Sequence, residues 1–92
     1  MKQKYKNWLL LQPWKLSEKV VCPECGNEAV DYRVIGDKST NIGWGLIWCN
    51  SCHTGIHVSR MKLPENAKVI SFEEAEKSKD IWPDYQIELI NP

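Results

Sequence analysis

The residues of this chain best suited to chemistry are its four cysteines, which form two pairs with the same spacing. A two-residue spacer within each pair lets one tight turn aim two thiolates at the same metal ion. Twenty-three residues separate the pairs, slightly more than the roughly 15–20 of the usual four-cysteine zinc pattern, and a longer hairpin absorbs the excess. The spacing therefore predicts one structural zinc ion held by four ligands: Cys22, Cys25, Cys49 and Cys52.

Two segments between the pairs must bring the cysteines together. Residues 29–35 alternate as a half-buried strand does, with Val30, Tyr32 and Val34 on one face. A polar turn at 36–41 follows, and residues 42–48 alternate again on the way back. Because the two strands have similar lengths, both cysteine pairs are expected at one end of the hairpin. Residues 55–60 also alternate, which predicts a third strand with Ile56 and Val58 inward.

The first cysteine pair has the form Cys-Pro-Glu-Cys-Gly, in which Gly26 suits a turn of positive φ that points backbone N–H groups at sulfur. This form resembles the knuckle of the zinc-ribbon and rubredoxin-like group over residues 20–60. The resemblance implies a metal geometry rather than one activity. The predicted fold is a small zinc-stabilised, β-rich α+β domain, built on a three-stranded antiparallel zinc ribbon.

We expect residues 1–92 to form a single domain with an extension at each end of the ribbon. An N-terminal arm spans 1–21, the zinc ribbon 22–62 and an acidic C-terminal segment 63–92. Trp8 and Trp14 of the arm are expected to cover one side of the sheet, and the segment around Trp8 suits either a helix or a short strand. Ser71 and Glu74 have the capping-box spacing and predict a short helix over about 72–80. Residues 85–89 alternate and suggest an edge strand.

Charge and targeting features limit the classes of protein. The net charge is zero, but residues 1–62 carry nine basic and five acidic side chains, whereas residues 63–92 carry three and seven. This asymmetry marks either a basic binding face or a tail that lies against the body, and the second is favoured. The apolar run 8–11 is too short for a signal peptide or a membrane span. We therefore expect a cytoplasmic protein, where metal binding is favoured over the alternative of two disulfide bridges.

Gly43 and Gly45 fall on one face of the return strand, opposite its aromatic residues. Glycines at such positions leave space for a close approach. The occupant is either a bulky side chain from the arm or tail, which is favoured, or a flat ligand.

The residues do not favour an enzyme. Four thiolates close a zinc site, whereas catalytic zinc keeps an open position for water. Cys49, Cys52 and His53 also form the attachment pattern of a c-type haem, with Met61 as a possible second axial ligand. That alternative leaves the first cysteine pair without a role.

The favoured function is therefore a non-catalytic protein-interaction module, such as a small regulator, inhibitor or immunity-type partner of a larger protein. Arg33, Trp44 and Arg60 are candidate contacts, since interfaces use tryptophan and arginine as anchors. The alternative is a nucleic-acid-binding zinc ribbon, although a pI of about 6.7 is low for that class. The basic residues available to it are Lys2, Lys4, Lys6, Lys15, Lys19, Arg33, Lys38, Arg60 and Lys62.

Overall fold

A computed structural model describes residues 2–14, 20–65, 67–78 and 81–92 of the chain. The described residues form two short helices and one five-stranded sheet of order β4-β1-β2-β3-β5. In these ranges no helix has the length and apolar character needed to cross a membrane. The elements are α1 (Gln3–Leu9), β1 (Val30–Asp37), β2 (Ile42–Cys49), β3 (Thr54–Lys62), β4 (Val69–Ile70), α2 (Phe72–Lys77) and β5 (Glu88–Leu89).

The sheet is mixed. Its three central strands pair antiparallel, with Val30 opposite Cys49 and Ile47 opposite Ile56. Both edge strands pair parallel with their neighbours, β4 with β1 and β5 with β3. The predicted three-stranded antiparallel ribbon is therefore not confirmed as the fold. The difference arises because two short C-terminal segments, which the sequence places outside the ribbon, use the free edges of β1 and β3 for backbone hydrogen bonds.

The N-terminal arm covers one face of the sheet. The sequence allowed either a helix or a short strand around Trp8, and the structure has a helix there. Tyr5 and Trp8 of α1 are buried and pack with Ile47, Ile56 and the cysteines Cys22 and Cys49. Trp8 is fully buried, and Trp14 meets the ring of Tyr32 edge-on at 5.7 Å. The expectation that these two tryptophans pack in the core on one side of the sheet is confirmed.

The C-terminal segment covers the opposite face, where Arg33, Trp44 and Trp48 lie on neighbouring strands. Trp82 stacks on Trp44 with ring centroids 5.6 Å apart and planes within 8° of parallel. The Arg33 guanidinium lies 5.1 Å from the centre of the Trp48 ring, and its Nε donates to the Ile81 carbonyl at 2.6 Å. Stacking, cation–π contact and backbone hydrogen bonding therefore hold the acidic tail against the body. Among the described residues, the one ion pair joins Arg33 and Asp31.

Helix α2 begins as its capping sequence predicts. The Ser71 side chain accepts a hydrogen bond from the Glu74 backbone N–H at 3.2 Å, and two acidic residues occupy the first turn. The helix ends at Lys77 because Ser78 is already extended. Residues 79–80, which the predicted helix 72–80 included, lie outside the described residues. The expected edge strand forms at Glu88–Leu89.

At the end of the sheet away from the cysteines, the glycines permit close strand packing. Gly36 lies opposite Gly43, and a Cβ added at Gly43 would fall 2.1 Å from the Ile35 carbonyl oxygen. The space beside Gly45 is taken by Met61, whose Sδ would lie 2.8 Å from an added Cβ. The side chain that uses the space thus comes from β3. The described residues of the arm and the tail, which the sequence favoured as its source, do not supply it.

Substituting these two glycines by alanine tests how the sheet packs. Gly43→Ala places a methyl group against backbone and should lower the free energy of unfolding by about 3 kcal/mol or more. Gly45→Ala meets a flexible thioether that can move aside, so a loss below about 1 kcal/mol is expected. Urea unfolding of the metal-loaded variants measures both losses. Equal losses would contradict the proposed packing.

Candidate metal centre

The four cysteine sulfurs converge at one end of the sheet. All four Sγ atoms lie within 4.8 Å of one another, and the pairs Cys22–Cys52 and Cys25–Cys49 are each 3.6 Å apart. Four sulfurs at about 2.3 Å from a tetrahedral ion would be separated by roughly 3.8 Å. All four cysteines are free thiols, so the disulfide alternative does not apply in this structure. The cysteines are thus close enough to coordinate one metal ion.

Backbone N–H groups surround the two buried sulfurs. Glu24 and Cys25 donate to the Cys22 Sγ at 3.3 and 3.4 Å, and Ser51 donates to the Cys49 Sγ at 3.3 Å. These hydrogen bonds favour the thiolate form and fix the orientation of each sulfur. The geometry is consistent with metal-binding knuckles, as the spacing predicts. The residues present therefore fit a soft, tetrahedrally coordinated metal.

The two knuckles have the same kind of backbone turn. In each, the residue after the second cysteine donates its N–H to the carbonyl of the first cysteine at 2.9 Å. This residue has a positive φ, 78° at Gly26 and 61° at His53. The prediction for Gly26 is confirmed. The same alignment of the two motifs would have predicted the left-handed conformation of His53, which the sequence analysis missed.

A polar network joins the second knuckle to the C-terminal segment. Tyr85 stacks on the His53 ring with centroids 3.7 Å apart, and its hydroxyl donates to the Asn50 Oδ1. The Trp48 indole N–H donates to the same Oδ1 at 2.9 Å and to the Tyr85 hydroxyl at 3.0 Å. Glu88 then donates its backbone N–H to the His53 carbonyl at 2.8 Å. The C-terminal segment therefore stabilises the second knuckle. No local sequence pattern predicts these contacts.

The thiols of the centre differ in acidity. Burial raises the pKa of Cys22 to about 12 and also raises the pKa of Cys49. The Asn27 backbone N–H lowers the pKa of the exposed Cys25 to about 7. Metal binding requires thiolates. An incoming ion must therefore displace protons from the two buried sulfurs at any pH near neutrality.

The three candidate partner contacts lie in different surroundings. Arg33 uses its guanidinium internally, on Ile81, on Asp31 and on the Tyr32 carbonyl. Trp44 is partly buried between Trp82 and His57, whose ring centroids lie 5.6 and 5.2 Å away. Arg60 is exposed and lines a groove at the other end of the sheet from the cysteines. The register shift of β3 places Arg60 across from Trp44, but of the three residues Arg60 alone is exposed.

The two residues suggested as axial haem ligands lie far apart along the sheet. His53 stacks on Tyr85 beside the second knuckle, whereas the Met61 side chain lies against Gly45. Gly45 precedes Cys49 by four residues on β2, which is about 13 Å of extended strand.

Comparison with known proteins found no relative. The chain matches no family model, no curated protein and no solved structure. The likeness to zinc ribbons therefore rests on the two cysteine knuckles alone. Among the described residues, the cysteine cluster is also the one group of His, Cys, Asp or Glu side chains placed to share a metal ion.

The thiol acidities predict how metal affinity depends on pH. Above pH 7, binding should displace at least the protons of Cys22 and Cys49, so affinity should rise at least about 100-fold per pH unit. Below pH 7, the Cys25 proton is displaced as well, and the dependence should steepen by about another tenfold per unit. Competition with a chromophoric chelator between pH 6 and 8 measures the slope. An affinity that does not change with pH would rule out thiol protonation in the free protein.

Proposed function

We propose that this protein is a non-catalytic protein-interaction module held in shape by one structural zinc ion. The observation that carries the proposal is the convergence of four sulfurs within 4.8 Å, at the one point where both ends of the central hairpin meet. Val30 and Cys49 are cross-strand partners there, so the ion would join the loop before β1 to the loop after β2. Metal binding and folding of the sheet are then coupled.

Zinc is favoured over iron because it is the usual occupant of a structural four-cysteine site with this spacing. A tetrahedral set of four sulfurs also accepts iron, so elemental analysis has to distinguish the two. Haem attachment is disfavoured, since Cys49 and Cys52 face the sulfurs of the first pair. The distance between His53 and Met61 further opposes that alternative.

A structural role for the metal is supported by the closure of the site. Four thiolates complete a tetrahedron and leave no position for water or substrate. Cys22 and Cys49 are buried at 2% and 0% exposure, so two of the four ligands are shielded from solvent. A catalytic zinc ion would need one protein ligand fewer, so that water could occupy the fourth position. The thiols of a reducing compartment such as the cytoplasm would stay available for the metal.

A protein partner is favoured over nucleic acid because the tryptophan rings are buried or covered by other side chains. Single-stranded nucleic acid is held largely by bases that stack on exposed aromatic faces. Here Trp8 and Trp48 are buried, Trp44 is stacked on Trp82, and Trp14 packs on Tyr32. The large exposed apolar side chains among the described residues are four aliphatic ones and Phe72. Aliphatic surface suits a protein contact better than a base.

Removal of the metal should unfold the sheet. Purified protein is expected to contain one zinc ion per chain, and a strong chelator should abolish its near-ultraviolet circular dichroism until zinc is restored. Cys49→Ser should behave like the metal-free protein, whereas the neighbouring control Ser51→Ala should keep both the zinc and the spectrum. A chelated protein with an unchanged melting curve would refute the structural role.

A cobalt-substituted sample tests whether the site is closed. The visible spectrum of cobalt in four thiolates should not change when azide is added, since no coordination position is open. A spectral shift would indicate an open, potentially catalytic site.

Binding experiments should separate the two classes of partner. We expect short single-stranded and double-stranded DNA and RNA to show no saturable binding at low or moderate salt. Affinity capture with the zinc-loaded protein should retain a protein partner that Cys49→Ser does not retain. Micromolar nucleic-acid binding that weakens steeply with salt would instead support the alternative.

A further inference from the structure

The end of the sheet away from the cysteines carries a groove that the metal centre does not explain. Its volume is about 700 Å³, within the range of ligand-binding sites. The start of β2 and the end of β3 form its sides, and the turn between β1 and β2 closes it. It is lined by Thr40, Asn41, Ile42, Arg60, Met61 and Lys62.

The charge of the groove is one-sided. Arg60 and Lys62 line it and no acidic side chain does. A second groove of about 380 Å³ adjoins it through Asn41 and Lys62 and adds one cation, Lys38, and one carboxylate, Glu65. All three cations are exposed, and none forms an ion pair with a described residue. The Oδ1 of nearby Asp37 accepts from the N–H and hydroxyl of Ser39, at 2.8 and 2.7 Å, rather than from one of these cations.

The floor of the groove is apolar. Ile42 leaves 56% of its surface exposed, although it lies on a strand at the rim of the sheet. Lys62 lies beside it as its cross-strand partner, whereas Met61 pairs with Gly43 and its thioether lies against Gly45, on the opposite face of the sheet. An occupant must therefore offer negative charge and a bulky apolar side chain together.

Strand pairing and backbone hydrogen bonding constrain the chain around the groove. The pairing of β2 and β3 shifts register between Gly43 and Gly45, and Arg60 takes a left-handed conformation there with a φ of 49°. Such a conformation is unfavourable for arginine and persists because the surrounding strands enforce it. The Leu63 N–H also donates to the Asn41 carbonyl at 3.1 Å, which ties the turn to the end of β3.

We propose that this groove binds an acidic segment of a partner protein, with an aliphatic side chain seated on Ile42 and carboxylates against Arg60 and Lys62. The proposal rests on the proposed function and specifies which surface contacts the partner protein. Charge complementarity identifies the occupant, because the unpaired cations attract carboxylates, and the exposed Ile42 favours an apolar side chain that covers it. Phosphate backbone lacks an apolar group to cover that floor.

A synthetic probe tests the proposal directly. The zinc-loaded protein is titrated with a fluorescent peptide that carries one central leucine flanked by glutamates. Saturable, salt-weakened binding is expected, and it should disappear when glutamine replaces the glutamates. Serine in place of the leucine should weaken binding several-fold.

Matched charge variants locate the binding. Arg60→Glu/Lys62→Glu should weaken peptide binding by at least about tenfold, since two attractions become repulsions. Lys4→Glu/Lys6→Glu makes the same change in net charge on the exposed side of α1 and should leave binding unchanged. Ile42→Asp supplies a second test at an exposed position. Circular dichroism and zinc content confirm that each variant is folded.

Other outcomes overturn the proposal. Equal losses in both double charge variants would show a non-specific charge effect, and tighter binding of an oligonucleotide at the same residues would make the occupant nucleic acid. Self-association that Arg60→Glu/Lys62→Glu abolishes would make it a second copy of the chain. A captured protein partner that binds wild type and Arg60→Glu/Lys62→Glu equally would refute the groove while leaving the proposed function intact.

Discussion

The structure depends on the meeting of four sulfurs from two loops that a long hairpin separates in sequence. Cys22 and Cys25 precede β1, whereas Cys49 ends β2 and Cys52 precedes β3. Burial raises the pKa of two of these thiols, so without a metal they stay protonated near neutral pH and do not link the loops. A bound ion would stabilise the structure, because it would bind the thiolates and constrain both loops at once. The strands then keep the register in which Val30 faces Cys49.

Both faces of the sheet are covered. Each covering segment contacts the cysteine end through a different kind of interaction. Helix α1 packs its buried tryptophan in the same cluster as Cys22 and Cys49, so the hydrophobic core and the metal centre are continuous. The C-terminal segment instead uses polar contacts, through the ring of Tyr85 on His53 and the backbone of Glu88. Loss of the metal would therefore loosen both covers.

Local patterns in the sequence predicted those features that depend on neighbouring residues. The alternation of Val30, Tyr32 and Val34 and the cap at Ser71 were both confirmed, because each depends on residues close in the chain. The docking of the C-terminal segment could not be predicted in the same way. Arg33 and Ile81 are 48 residues apart, and an arginine on a strand looks like a surface residue until its partner is known. The parallel edge strands are two residues each, too short for a periodic signal.

The two ends of the sheet differ in how far they are covered. At the cysteine end, α1 and the C-terminal segment pack on opposite faces and Cys22 and Cys49 are buried, although Cys25 is exposed. Strand β2 runs from the far end to the cysteine end over eight residues, a distance of about 23 Å. At the far end the packing is made by glycines and Leu63, which leaves Ile42, Arg60 and Lys62 uncovered. The cysteine end thus joins the loops and the covering segments, whereas the far end leaves Arg60 exposed in a left-handed conformation at the register shift of β3.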